Sequence, residues 1–241
     1  MKDFFRNLVF PGLDLHTRNR ASLQQYWKIG PRDVLDAGSG NGYLSWLAYK
    51  SGASVVGLNV EPDQVRRASE FLIGYRRANP ERLRFEQCNL YDLAKETRTF
   101  DEIICFEVLE HLRNDALVVK EFYRILRPGG MLHLCAPNRM HQRHQTENLD
   151  LHETGGHVRP GYTEEDYRRL LEPVGFCINC VVGIGPKPLY LADKVLRGIR
   201  GHFGDLAALP LLLFALPTVW FAKFNPKTPF SIYVRAVKFT R

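Results

Sequence analysis

The run Val34-Leu35-Asp36-Ala37-Gly38-Ser39-Gly40-Asn41-Gly42 limits what this chain can fold into more than any other stretch. It opens as a short apolar strand and closes with glycine at alternate positions. Tyr43, Leu44, Trp46, Leu47 and Ala48 follow at helical spacing until Ser51-Gly52 stops them. A strand, a glycine loop and a helix in succession let backbone approach a ligand where any Cβ would clash, and they aim helix N-terminal amides into the gap. In an open parallel sheet that gap, at the carboxyl ends of the strands, is where ligands bind. The spacing is not that of a dinucleotide loop, which places its third glycine three residues after the second; here the glycines fall at 38, 40 and 42. Asp36, two residues before the first of them, would repel a pyrophosphate but can hold a cationic amine or a bound water.

The rest of the chain alternates strand and helix signals, the mark of an α/β fold with a parallel sheet. Residues 54–60 read as a second buried strand, after which Glu61-Pro62-Asp63 starts a helix with proline at its first position. Residues 83–88 form a third strand, ended by Asn89-Leu90-Tyr91-Asp92-Leu93, and residues 100–106 a fourth that runs into Glu107-Val108-Leu109-Glu110-His111-Leu112. Leu117, Val118, Phe122, Ile125 and Leu126 then repeat at helical spacing, Arg127-Pro128-Gly129-Gly130 stops them, and residues 131–136 make a fifth strand. Thr163 caps a helix whose first turn carries Glu164, Glu165 and Asp166, and residues 176–184 form strand six. A last strand is expected over residues 230–239.

These motifs, in this order over residues 34–136, resemble the class I S-adenosylmethionine-dependent methyltransferases. The segment from Glu107 to Leu112 is similar to the one that follows strand four in the quinone-biosynthesis branch, and Leu126-Arg127-Pro128-Gly129-Gly130 before a hydrophobic strand is a recognisable late feature of these enzymes. The resemblance implies an α/β, Rossmann-like, doubly wound and mostly parallel seven-stranded sheet with an antiparallel last strand and a helical insertion between strands six and seven. It implies an N-terminal helical cover over residues 1–30, a cofactor-binding core over 31–185, an insertion over 186–229 and the last strand over 230–241. S-adenosyl-L-methionine is the implied cofactor, contacted by Asp36, Ala37, Gly38, Ser39, Gly40, Asn41, Gly42 and Tyr43.

Further contacts follow by position. Relatives carry Asp or Glu at the end of strand two to bridge the ribose hydroxyls. Here Asn59 stands in that place, and an amide cannot accept from both hydroxyls. Glu61, beyond Val60 and on the same strand face, is the candidate substitute. Asn89 and Leu90 occupy the adenine-binding turn, and Phe106 and Glu107 flank the methionine end. Arg18 or Arg20 either pairs with the methionine carboxylate, which guanidinium matches bidentately, or lies exposed on a surface helix. Methyl transfer to a hydroxyl calls for a nearby base. His111 is the first candidate, set against a structural helix-start histidine, with His141, His144 and His157 after it.

Composition narrows the function classes. The net charge of +7, from 33 basic and 26 acidic side chains, comes without a long Lys/Arg run or a nucleic-acid motif, so a nucleic-acid partner is not expected. Five scattered cysteines argue against a disulfide framework and for a reducing, cytoplasmic setting. Cys177-x-x-Cys180 lacks the second pair of a zinc site and is expected to be buried. Met1 to Phe10 mixes charges among its apolar residues and is not expected to be a signal peptide. Residues 137–162 hold His141, His144, His152 and His157 with Glu147 and Glu153; no metal site is expected, and the stretch reads as a substrate-facing lid.

The insertion opens with Lys187, Lys194, Arg197, Arg200 and His202, continues uncharged from Leu206 to Ala222 with Pro210 and Pro217 inside, and is followed by Lys223 and Lys227. It stands open among a substrate cap, a peripheral membrane element and a homodimer contact. The sequence thus points to methylation of a small-molecule acceptor, an oxygen of an apolar or lipid-linked compound. A non-catalytic cofactor-binding adaptor at a membrane or protein surface is the alternative.

Overall fold

The computed structural model describes residues 10, 14–28, 30–146, 148–150, 152–222 and 224–239. Residues 1–9 of the amino-terminal stretch, together with Glu147 and Lys223, lie outside them. In chain order the first half comprises α1 (Leu15–Ala21) with a 3-10 turn (Ser22–Tyr26), β1 (Asp33–Ala37), α2 (Tyr43–Lys50), β2 (Ser54–Asn59), α3 (Pro62–Ser69) with a π-turn (Glu70–Tyr75), and β3 (Leu83–Gln87). After a 3-10 turn (Leu90–Lys95) come β4 (Phe100–Phe106), a second such turn (Leu109–His111), α4 (Asp115–Ile125), β5 (Leu126–Pro137), α5 (Gln142–Gln145), α6 (Glu164–Leu171), β6 (Phe176–Ile184), α7 (Lys187–Trp220) and β7 (Ser231–Lys238).

The strands order as β3-β2-β1-β4-β5-β7-β6, with β3 to β5 paired in parallel and β7 antiparallel. The chain therefore winds outward in both directions from β1, and the crevice where the winding reverses lies between β1 and β4. Strands buried on both faces need unbroken apolar runs rather than alternation, and Val34 to Ala37 and Glu102 to Phe106 are buried throughout. Leu35, Ile103, Val118, Phe122, Leu134, Tyr167 and Phe176 belong to one core that joins sheet and helices. Tyr233 on β7 places its hydroxyl 2.8 Å from Nδ1 of His133 on β5, and burial pushes that imidazole down to about 3, so it stays neutral.

The chain divides into two compact units, Met1–Trp27 with Gly183–Ser231, and Lys28–Val182 with Ile232–Arg241. In the first, Leu15 packs with Leu189, Leu196, Ala208, Leu212 and Ala215 of α7. The Leu15 N–H donates to Asp193, and His16 stacks on Phe230 at 4.0 Å between centroids.

Three expectations change. Strand five begins at Leu126, not Met131: the chain passes directly from α4 into β5, pairing Phe100 with Leu126 and resuming register at Glu102 with Met131. Arg127 to Gly130 is thus the extra length of a bulge, fixed by Arg127 to Asp33 and Asp101 at 2.8 Å. The helix before β1 starts at Leu15, because Asp14 accepts from the His16 N–H as its cap; Leu23 and Tyr26 lie in the 3-10 turn that follows. Cys177 is exposed and Cys180 half-buried, since β6 is an edge strand. Thr163 caps α6 as expected, within a reciprocal capping box with Asp166.

One buried ion pair anchors the start of β1. Arg32 Nε donates to Glu102 Oε2 at 2.9 Å, and the Lys28 N–H donates to the other carboxylate oxygen at 2.8 Å. Truncating Glu102 would leave a guanidinium buried without its counter-charge. Glu102→Ala is therefore expected to lower unfolding stability by about 3–5 kcal/mol, read from urea denaturation, with Glu102→Gln losing less.

Candidate active site

The loop after β1 takes its shape from glycine. Gly38, Gly40 and Gly42 have φ of 86°, 52° and 79°, all left-handed. A Cβ on Gly38 would drive into the side chain of Val108, in the loop after β4, whereas one on Gly40 would meet no protein atom within 4 Å. The first glycine thus serves packing, and the second leaves backbone open toward the crevice. The amides of Gly38 and Ser39 both donate to Leu58 O at the end of β2, at 2.9 and 2.8 Å, and the Tyr43 N–H is taken by Asn41 Oδ1 at 3.1 Å.

Asp36 is buried, and Ser45 Oγ on α2 donates to it at 2.5 Å. Burial pushes the carboxyl from 3.8 up to about 6, with the Ser45 hydrogen bond pulling the other way. A cationic group beside it would favour the charged form. Asn59 Oδ1 accepts from the Glu61 N–H at 2.9 Å, so the amide closes the turn into α3 while the Glu61 side chain is exposed. Asn89 Oδ1 likewise accepts from the Tyr91 N–H at 3.0 Å, and Leu90 is buried beneath it. Val60 and Asn89 line one cavity of about 580 Å³ with Leu58, Gln87 and Cys88. Arg18 lies in the last turn of α1, within the first unit.

The segment after β4 is the most constrained. Phe106 is buried, and Glu107 takes a φ of 55°, costly for a residue with a Cβ, with its N–H donating to Cys135 O at 2.7 Å. The 3-10 turn then presents Glu110, fully buried, and His111. His111 Nδ1 lies 2.9 Å from Gly156 O. A carbonyl can only accept, so the proton sits on Nδ1 and the lone pair on Nε2. The rings of His111 and His157 meet edge-to-face at 4.8 Å, and ligand atoms of Glu110, His111 and His157 all lie within 4.8 Å of one another, a group able to hold a metal ion.

Hydrogen bonds around Asp150 hold His157 there. Asp150 accepts from the N–H groups of His152, Thr154 and Gly156 and from Thr154 Oγ1, which holds its carboxyl down at about 2. Asp150 N–H donates to His157 O, and Val158 N–H to Glu110 O, at 2.7 and 2.8 Å. Glu153 accepts from the Tyr91 hydroxyl at 2.8 Å and from the Arg113 N–H. His141 and His144 make a second pair, 5.6 Å between centroids, with His144 buried and His141 capping α5. The spacing within Glu107 to His111 does contain Glu110, but that it would turn toward His157 comes from the lid and has no local sequence signal.

Over residues 13–181 the chain matches the family model of a methyltransferase domain. The chain belongs to the class I S-adenosylmethionine-dependent methyltransferases. It is 30% identical over 157 residues to a Mycolicibacterium smegmatis protein named "Probable S-adenosylmethionine-dependent methyltransferase", covering 64% of this chain and 55% of that one. It is 26% identical over 166 residues to the mitochondrial ubiquinone biosynthesis O-methyltransferase of Rattus norvegicus, covering 64% and 47%. The match thus spans about half the length of these curated relatives. Among solved structures, an S-adenosylmethionine-dependent methyltransferase from Mesorhizobium loti superposes with a TM-score of 0.60 at 18% identity, covering 91% of this chain and 97% of that one. The Haemonchus contortus phosphoethanolamine N-methyltransferase 2, in complex with S-adenosyl-L-methionine, gives 0.61 at 17%, covering 93% and 53%. At these identities the structures speak for the fold.

Because burial raises the Asp36 carboxyl, the folded cofactor-free protein keeps a proton that the unfolded chain has released. Its contribution to stability is complete below pH 3.8 and is lost as pH rises through about 6, a difference of about 3 kcal/mol. Asp36→Asn should flatten that slope relative to the parent in melting curves recorded across the pH range.

Proposed function

We propose that this methyltransferase moves the methyl group of S-adenosylmethionine to an oxygen of a small apolar acceptor, with His111 taking the acceptor proton. The observation that carries the reading is the Glu110, His111 and His157 group, in which Glu110 follows two residues after Val108, whose side chain packs against Gly38 of the glycine loop. Displacement at a sulfonium needs alignment of the nucleophile and exclusion of water. The ordered lid, with the left-handed turn at Glu107, supports both. Gly156 O orients the His111 ring so that Nε2 can accept a proton as the oxygen attacks, and His157 packs against that ring. The names of several relatives, ubiquinone biosynthesis O-methyltransferases, favour a hydroxyl on an apolar body as the acceptor class. Asn59, Val60, Glu61, Asn89, Leu90, Phe106 and Glu107 keep the cofactor roles assigned by position.

The same group supports a second route to the same end. A divalent cation held by Glu110, His111 and His157 would lower the pKa of the acceptor hydroxyl and neutralise its oxyanion. The chain supplies the ligand atoms, and Gly156 fixes the His111 tautomer that such binding requires.

The test uses methyl-labelled S-adenosylmethionine with a total cell extract, partitioned into organic and aqueous phases. Label in the organic phase, located on oxygen by mass spectrometric fragmentation, is the expected result, and label confined to the aqueous phase would overturn the apolar acceptor. His111→Ala is expected to lower kcat by about a hundred- to ten-thousand-fold while leaving cofactor Kd unchanged. Loss of turnover with EDTA, restored by a divalent cation, would select the metal-assisted route, and indifference to EDTA the histidine alone.

A further inference from the structure

Helix α7 breaks at Gly204, whose φ of 82° and ψ of 175° lie outside the helical region, into halves over 187–203 and 205–220. Each half spends one face inside its own unit: Leu189 and Leu196 from the first, and Ala208, Leu212 and Ala215 from the second, join Leu15 in one buried cluster. An ordinary surface helix would turn charge outward on its other face. The second half does not. Pro210, Leu213, Phe214, Pro217 and Phe221 are exposed and follow one another at i, i+3, i+4, i+7 and i+11, a single stripe. Phe214 and Phe221 are each 81% exposed and Leu213 is 53% exposed. With Leu191, Val195 and Phe203, six of the eleven exposed large apolar side chains among the described residues fall between Leu191 and Phe221. Scattered exposed apolar residues need no explanation, but a concentration of this kind marks an interaction surface. It borders an apolar groove of about 700 Å³ lined by Pro188, Pro217, Phe221 and Phe224, with Lys227 at its rim.

Charge decides what the stripe meets. Residues 186–229 carry six Lys/Arg against two Asp, a surplus of four within a chain total of +7. Lys187, next to Pro188, and Lys227 are both exposed around the groove. An apolar face rimmed by cations suits an anionic lipid surface, where rings insert between headgroups and ammonium groups meet phosphates. No helix among the described residues is long and apolar enough to cross a membrane, so such an element would lie in the plane of the interface. We propose that the second half of α7 docks this protein on anionic lipid membranes, with Leu213, Phe214 and Phe221 inserted and Lys187 and Lys227 on the headgroups. The inference stands apart from the acceptor assignment, because binding is read without turnover.

The experiment is sedimentation of the whole protein with phosphatidylcholine vesicles, with and without phosphatidylglycerol, at low and high salt. Binding to the anionic vesicles that weakens with salt is expected. Phe214→Ser/Phe221→Ser should weaken it by about tenfold or more, and Lys187→Gln/Lys227→Gln should remove the preference for anionic lipid. All four positions are exposed, and matching circular dichroism melts confirm that the variants fold. No sedimentation with anionic vesicles, or sedimentation that the serine pair leaves intact, would overturn the proposal. So would a dimer in analytical ultracentrifugation that the serine pair dissolves while vesicles leave the parent in solution, since a second copy would then cover the stripe.

Discussion

Gly38 brings the backbone after β1 against the side chain of Val108, after β4, at a separation with no room for a Cβ. These two strands are neighbours at the point where the winding of the sheet reverses, and the contact closes the floor of the crevice between them. The rest of the site hangs from it. On one side the loop is tied to β2 through Leu58 O, which places Asn59 and the turn into α3. On the other, Val108 leads into the 3-10 turn that carries Glu110 and His111. A conformational cost is accepted at Glu107, whose positive φ lets the chain leave β4 sharply enough to make this contact.

Polar groups in the lid do work that an apolar core cannot. A carboxylate that accepts several N–H groups acts as the centre of a small folded unit, and Asp150 gathers four donors between His152 and Gly156. The residues that follow this loop are fixed by backbone hydrogen bonds, Val158 to Glu110 and Tyr162 to Pro137. Two histidines far apart in sequence then meet edge-to-face, with the His111 tautomer set by Gly156 O. Preorganisation of this kind is what proton transfer or cation binding requires, because neither tolerates a ring that must be reoriented during the reaction.

The unit formed by α1 and α7 obeys a different economy. The second half of α7, uncharged from Leu206 onward, exposes apolar side chains beyond those that pack in its buried cluster. Asp193 ties its two helices together: the carboxylate receives the Leu15 N–H, which fixes the start of α1 on the first half of α7, and faces Arg197 at 2.8 Å.

The alternation of strand and helix, the glycine loop and the caps at Pro62 and Thr163 were legible in the sequence, because each depends on residues close together in the chain: periodicity, φ preference and local hydrogen bonds. The mostly parallel seven-stranded sheet with an antiparallel last strand followed from resemblance and holds, while the strand order came with the structure. The bulge at Arg127 to Gly130 was not legible, because proline and glycines that end a helix also suit a bulge, and pairing with Asp33 and Asp101 on other strands decides between them. Nor was the exposure of Cys177, which depends on β6 lying at the sheet edge. The sequence by itself determined a cofactor-loop fold and put histidines on both sides of residue 137. Tertiary structure alone decided that His157 joins His111 and Glu110, since the hydrogen bond from His111 to Gly156 spans 45 residues of chain and leaves no periodic trace.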